Sequence, residues 1–339
     1  MKSLNCRNCN KKNNFYELFS LGKLSYTGKF PNNRKIDIPK SEIKLVICNK
    51  CKLVQVSKEF DLNYMYDDNY GYRTGINHTM TSHVKSIVNE LSLRKNFLNK
   101  GDYVLDIASN DATLLNSYQK NLTRVGIDPT INKYKKFYKN IDFKISNFFS
   151  KKRLIKVIKN NKFKTITALA VFYDLKNPNQ FLKEISEIID EKKGIFILEF
   201  QDLLSIIKNN LFDTICHEHL GYYSTKIILQ MVKKNNLKIL DIKKNQINGG
   251  STRFYICHKE ANYKVKENKI KKMIKYELKF KLENKNTYKS FFKKIINIKR
   301  KLNKKMNDIK KQGKTIHGYG ASTKGNVLLQ FFNINKNHL

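Results

Sequence analysis

The chain has 339 residues, 40% of them hydrophobic, which is enough for two or three domains that each bury a core. Its formal charge is +39, but only 8 of the 67 basic residues are arginine, and a reader of bases or phosphates favours the bidentate arginine fork, so nucleic acid is disfavoured as a partner. No run of about 18 apolar residues occurs and MKSLNCRNCN has no apolar segment behind its first lysine, so neither a membrane span nor a signal peptide is expected and the expected location is the cytoplasm.

The first element is a pair of knuckles, Cys6-x-x-Cys9 and Cys48-x-x-Cys51. Two such pairs fit one tetrahedral zinc better than disulfides in a reducing compartment, and with no open position apparent the metal would hold the fold. A polar, aromatic bridge follows and then a helical pattern from about Thr79 to Phe97. Compact apolar runs at 103–107 (YVLDI), 124–128 (RVGID), 165–171 (TITALAV) and 194–200 (GIFILEF) read as strands, separated by helical spacing such as the segment opening at Pro178. That alternation predicts an α/β fold with a doubly wound parallel sheet, whose ligand sits at the carboxyl ends of the strands.

The first of these strands ends at Asp106 and leads through Ala108, Ser109, Asn110, Asp111 and Ala112 into an expected helix beginning TLLNSY. An acid, a small-residue turn and a helix start suit a nucleotide, and Asp128, about 20 residues on, stands where a carboxylate commonly holds ribose hydroxyls. Alanines fill the glycine positions of a dinucleotide fingerprint, so S-adenosylmethionine (SAM), which has no phosphate, suits the turn better. Residues 212–224, FDTICHEHLGYYS, set Glu218 between His217 and His219, which permits a metal clamp, an acid/base site or a hydrogen-bonded loop. From Lys264 to Lys314 the chain reads as lysine-rich helix, with Phe291, Ile295, Ile298, Leu302, Met306 and Ile309 in one apolar stripe. TIHGYGASTKGNVLLQFF then predicts a strand, a glycine turn and a helix, with Lys324 and backbone N–H groups placed to take a phosphate.

Taken together, LDIASNDATLL, GIDPT, ALAVFYDLKNP, FDTICHEHLGYYS, NGGS and GYGASTKGN resemble the zinc-containing C-methyltransferases of nucleotide-linked deoxysugars. The resemblance implies a class I methyltransferase Rossmann-like sheet, a small N-terminal zinc-binding module (1–62), a methyltransferase domain (63–260), a helical connector (261–313) and a partial C-terminal Rossmann-like domain (314–339). In that family the chain would continue for several more strands, so this one is expected to be C-terminally truncated. The implied cofactors are SAM and structural zinc, with Asp106, Ala108, Asn110, Asp111, Asp128 and Asn147 at the SAM positions.

The implied substrate is a nucleoside-diphosphate 4-keto-deoxysugar, methylated on the carbon beside its ketone. Removing that weakly acidic proton requires a base and a donor for the enolate oxygen. The resemblance makes His219 the base, gives Glu218 a role in sugar binding or orientation, and places Tyr70 and Tyr72 at the upstream active-site tyrosines. Cys216 stands where the family commonly has tyrosine, and a thiol is a weak donor, so Tyr222 or an upstream tyrosine is the alternative. His217, Asn248, Arg253 and Lys324 are expected to bind substrate. Ala112 replaces a glycine of the family's run and is expected to narrow the turn or demand φ < 0. Methylation at oxygen or nitrogen, an inactive truncated relative and a zinc-ribbon nucleic-acid binder are the competing readings.

Overall fold

A computed structural model describes residues 4–31, 33, 35–66, 70–320 and 322–339. The chain forms two compact units: Met1–Met65, Asp202–Ile227 and Ile274–Leu339 make the first, and Tyr66–Gln201 with Ile228–Met273 the second.

The first unit holds a four-stranded antiparallel sheet in the order β1-β2-β3-β9, from β1 (Phe15–Ser25), β2 (Lys40–Cys48), β3 (Val54–Val56) and β9 (Gly221–Tyr222). The second knuckle is the turn between β2 and β3, where Lys52 N bonds Cys48 O and Cys48 N bonds Leu53 O. The pairing of β3 with β9, extended by Val56 N to Leu220 O, ties that hairpin to the residues just behind the two histidines. The lysine-rich stretch is two helices, Glu267–Lys279 and Lys285–Lys311. Phe291, Ile295 and Met306 of the expected stripe are buried, whereas Ile298 is 39% exposed and lies off it.

The second unit is a seven-stranded sheet in the order β10-β11-β8-β7-β4-β5-β6. Its strands are β4 (Tyr103–Ile107), β5 (Thr123–Ile127), β6 (Phe143–Ile145), β7 (Phe163–Leu169), β8 (Ile195–Gln201), β10 (Leu237–Asn245) and β11 (Ser251–His258). Strands β4 to β8 pair parallel, and β11 enters antiparallel between β8 and β10. This is the class I SAM methyltransferase arrangement. All seven residues of β8 are buried, as a strand covered on both faces requires. The helix His78–Ser92, capped by Asn77 accepting from Met80 N, buries Val84, Ile87, Val88 and Leu91 at three- and four-residue spacing into the sheet's core cluster.

Two expected elements differ. Behind the cofactor turn there is only a 3-10 turn, Leu115–Ser117, in place of a helix. Ala108, Asn110 and Ala112 of the turn all have positive φ, and only Thr113 to Leu122 then separate the turn from β5. The expected strand at 314–320 is irregular, because no neighbouring strand among the described residues supplies its ladder, and regular structure resumes at the helix Thr323–Phe332.

Candidate active site

In the second unit the cofactor turn is a backbone construction. Ala108, Asn110 and Ala112 have φ of 58°, 48° and 60°, so Ala112 adopts the glycine conformation with its methyl group buried; the expectation that alanine would demand φ < 0 does not hold. Such strain costs about 1 kcal/mol or more per residue and persists because the surroundings over-determine it. Tyr138 Oη donates to Asn110 O at 2.8 Å and lies 2.7 Å from Ser109 Oγ. Asp128 Oδ2 accepts from Asn110 N at 3.0 Å, and its Oδ1 accepts from Thr130 N and Oγ1, both at 2.6 Å.

The side chains of the turn reach upstream. Asn110 Oδ1 accepts from Thr74 N at 2.9 Å while its Nδ2 donates to Tyr72 O at 3.1 Å, and Asp111 Oδ2 accepts from Gly75 N at 2.9 Å. A Cβ on Gly75 would come within 2.6 Å of that carboxylate oxygen, so the YRTG run lies directly on the turn. Lys133 Nζ and Tyr134 Oη hold the carbonyls of Tyr70 and Tyr72. Asn69, the residue before Tyr70, and Ala321 of GYGASTKGN lie outside the described residues.

Asp106 is fully buried at the end of β4 and accepts from Thr167 Oγ1 at 2.6 Å. Burial, with Asp128 and Asp111 nearby, pushes its carboxyl up to about 7, against the partial relief from Thr167. Two acids at strand ends beside a turn of closely packed backbone fit an adenosine with an unphosphorylated ribose.

In the first unit FDTICHEHLGYYS is a tightly packed cluster. His217 is wholly buried, its ring against Tyr26 at 4.8 Å and Phe60 at 4.7 Å between centroids. Its Nδ1 accepts from Thr27 N at 3.3 Å and its Nε2 then donates to Ser41 O at 3.3 Å, so both nitrogens are engaged with backbone and the ring is neutral. Burial lowers it to about 4. His219 has the opposite tautomer. Its Nδ1 donates to Thr214 O at 2.7 Å, which leaves the lone pair of the neutral ring on Nε2. Burial lowers His219 to about 4 as well; the Thr214 carbonyl opposes that and Lys324 adds to it.

Glu218 lies between them, its Oε2 3.3 Å from Thr27 Oγ1 and its Oε1 3.5 Å from Thr323 Oγ1. Burial raises its carboxyl, and hydrogen bonds from Cys216, Thr27 and Thr323 offset part of the rise. A Cβ on Gly28 would fall 1.8 Å from Glu218 Oε1, which explains the glycine. Cys216 is buried, and its side chain is among the groups that oppose the rise at Glu218.

The four knuckle cysteines converge in the same unit. Their Sγ atoms all lie within 4.8 Å of one another, with Cys6 to Cys51 at 3.4 Å and Cys9 to Cys48 at 3.7 Å. Tetrahedral zinc with Zn–S of about 2.3 Å sets its sulfur ligands roughly 3.8 Å apart, so the cluster fits that ion.

Comparison with known proteins bears on both units. Residues 76–242 match the methyltransferase domain family, and residues 246–339 match the C-methyltransferase C-terminal domain family. The C-methyltransferase NovU of Streptomyces niveus is 23% identical over 289 residues, spanning 85% of this chain and 68% of that one. The protein is a SAM-dependent methyltransferase. Solved structures similar to the enzyme include an S-adenosylmethionine-dependent methyltransferase from Clostridium acetobutylicum (13% identity, TM-score 0.42, covering 52% of this chain and 92% of that one). Another is the PH0226 protein of Pyrococcus horikoshii (18%, TM-score 0.42, 59% and 99%).

The structure gathers the expected site residues of the enzyme into two groups. Asp106, Ala108, Asn110, Asp111 and Asp128 surround the turn, with the Tyr70 and Tyr72 backbones strapped beside it. Asn147, after β6, turns its Oδ1 to Phe148 N at 2.9 Å. His217, Glu218 and His219 form the second group with Cys216, while Tyr222 lies buried in β9. Among the expected substrate ligands, Asn248 holds Gln201 Nε2 through its carbonyl at 2.6 Å. Arg253 is committed to a buried network: its Nε donates to Glu199 Oε2 at 2.6 Å, and His83 Nε2 lies 2.5 Å from Glu199 Oε1. Burial raises Glu199, but His83 and Arg253 outweigh it and hold the carboxylate below its ordinary value. Sequence reasoning missed Thr27, Thr167 and Tyr138, which carry no motif. It also missed Thr323, although it adjoins Lys324 in GYGASTKGN.

Proposed function

We propose that the enzyme methylates the carbon beside the ketone of a nucleoside-diphosphate 4-keto-deoxysugar. The observation that carries this reading is His219: a buried neutral imidazole whose Nδ1–H is held by Thr214 O, leaving Nε2 as a base. The name of the relative, a C-methyltransferase, supports carbon as the acceptor, and the motif resemblance supports the sugar. Nε2 takes the α-proton, and the electron pair of that C–H bond forms the enolate. SAM supplies the methyl group, and Asp106, Asp128 and the turn at Ala108–Ala112 are the residues that would hold it. Glu218, fixed by Thr27 and Thr323, orients the sugar, and His217 serves as a structural clamp rather than as a substrate ligand.

Cys6, Cys9, Cys48 and Cys51 hold a structural zinc in the same proposal, within a module ending near residue 62. Elemental analysis finding one zinc per chain supports it; a metal-free, fully folded protein contradicts it. The reaction is tested by incubating the protein with SAM and a panel of nucleotide 4-keto-sugars. A product heavier by one methylene, with a new carbon–carbon bond by NMR, is expected. A methyl ether or N-methyl product would sink the carbon assignment, and no product across the panel would sink the substrate class.

A further inference from the structure

In the second unit, residues 70–75 run as a strap along the cofactor turn, and four of the strap's main-chain groups are taken by the turn and the segment behind it. Tyr134 Oη donates to Tyr72 O at 2.8 Å and lies 3.3 Å from Tyr70 O, which Lys133 Nζ holds at 2.6 Å. Asn110 takes the middle of the strap: its Oδ1 accepts from Thr74 N at 2.9 Å while its Nδ2 donates to Tyr72 O at 3.1 Å. Asp111 Oδ2 accepts from Gly75 N at 2.9 Å. Arg73, between these anchors, lays its guanidinium over the Phe137 ring at 4.3 Å.

The chemistry of the two side chains explains the pairing. A primary amide carries a donor and an acceptor on one carbon, so Asn110 meets the strap as the peptide group of a neighbouring strand would. Asn110 also has φ of 48°, a region that asparagine tolerates better than most residues, so it serves the turn's backbone and the strap at once. Asp111 is buried with both oxygens occupied, Oδ2 by Gly75 N and Oδ1 by Thr113 N at 3.3 Å and Thr113 Oγ1 at 2.6 Å. Each polar atom of the two side chains therefore has a protein partner already. The close approach also requires glycine at 75, where a Cβ would lie 2.6 Å from Asp111 Oδ2 and 2.9 Å from Thr113 Oγ1.

We propose that Asn110 and Asp111 are positioning residues rather than side-chain ligands of SAM: they hold the strap at 70–75 on the cofactor turn, so that SAM binding and strap closure favour one another. The main chain of Asn110 is gripped by Tyr138 Oη and Asp128 Oδ2 and its side chain by the strap, so a ligand that fixes the turn restricts the strap as well. Such coupling acts equally in both directions. The strap carries Tyr70 and Tyr72, and closing it sets both beside the cofactor residues. The inference concerns SAM alone and is independent of the acceptor.

The test is amide hydrogen exchange over residues 70–77, read by mass spectrometry with and without SAM, beside SAM calorimetry, for Asn110→Ala, Gly75→Ala and Asp111→Asn. Without cofactor, Asn110→Ala and Gly75→Ala should each speed exchange in this segment by about 2- to 10-fold, the net worth of one such hydrogen bond, while β4 exchanges as in the wild type. Gly75→Ala leaves every side chain of the turn in place, and Asp111→Asn keeps an oxygen for Gly75 N, so the first loosens the strap and the second does not. Saturating SAM should slow exchange of the segment in the wild type. SAM affinity should stay within about threefold of the wild type in Asp111→Asn, and Asn110→Ala and Gly75→Ala should agree within the same margin. A melting temperature lowered in one variant leaves the other two to decide. A loss of about tenfold or more in Asp111→Asn with strap exchange unchanged would make the carboxylate a SAM ligand and overturn the inference. So would Asn110→Ala weakening SAM beyond Gly75→Ala, strap exchange that ignores SAM, or a wild type that does not bind it.

Discussion

The cofactor turn and the histidine cluster reach order by opposite means. The turn is shaped by its own backbone, with three left-handed residues braced by Tyr138, Asp128 and Thr130. The cluster is shaped by side chains brought from three distant stretches, around Thr27, around His217 and around Thr323. A backbone-built site tolerates exchange of small residues at the cost of strain, which is why alanine stands at 112. A side-chain-built site does not, because each partner removed leaves a buried polar atom unsatisfied.

The largest test of this contrast is His219→Ala. Methyl transfer should fall by about 10²- to 10⁴-fold, the usual worth of a positioned base, while SAM affinity by calorimetry stays at the wild-type value. An active variant would remove His219 from the chemistry. Next comes Cys48→Ser, which should lower the melting temperature more than any single change in the cofactor turn, because metal-binding energy is folding energy in such modules. On the cofactor side, Asp128→Asn should weaken SAM binding by about 10- to 100-fold, the range set by losing one charge-assisted hydrogen bond. Undiminished affinity would show that the turn binds through its backbone alone.

The two regions should also respond to pH with opposite sign. His217 and His219 titrate at about 4 in the folded protein against an ordinary 6.5, so the unfolded chain takes up protons that the folded one refuses. Their contribution is complete above pH 6.5 and is lost as pH falls through about 4. Asp106 is displaced upward, from 3.8 to about 7, so its contribution is complete below pH 3.8 and is lost as pH rises through about 7. In melts across this range, His217→Gln should flatten the acid decline and Asp106→Asn the neutral one; both variants acting on one side would break the comparison. The smallest expected effect is Ala112→Gly, which should raise stability by about 0.5–1 kcal/mol in denaturant titration by relieving left-handed strain.

The parallel sheet was legible because strands covered on both faces are continuous apolar runs, and β4, β5, β7 and β8 fall within two residues of where those runs lie. The convergence of the knuckle cysteines was legible through the identical spacing of the two pairs. The left-handed φ at Ala108 and Ala112 was not legible, because packing imposes it against local alanine preference. His217 and His219 look equivalent in HEH, and only their surroundings separate them: Thr27 and Ser41 hold both nitrogens of one ring, and Thr214 holds Nδ1 of the other. Arg253 reads as a ligand in sequence, and its buried pairing with Glu199 in the fold was not legible there.

The separations in the histidine cluster set an order of events during synthesis. Thr27 meets His217 across 190 positions, and its carbonyl meets Asn326 across 299. Every strand of the seven-stranded sheet lies between Tyr103 and His258, so a growing chain possesses the whole cofactor sheet while residues 323–330 are still unmade. Closing such long loops is slow. The histidine cluster therefore matures last, and a chain interrupted after its sheet is complete would carry the turn at Ala108–Ala112 without the partners that fix Glu218.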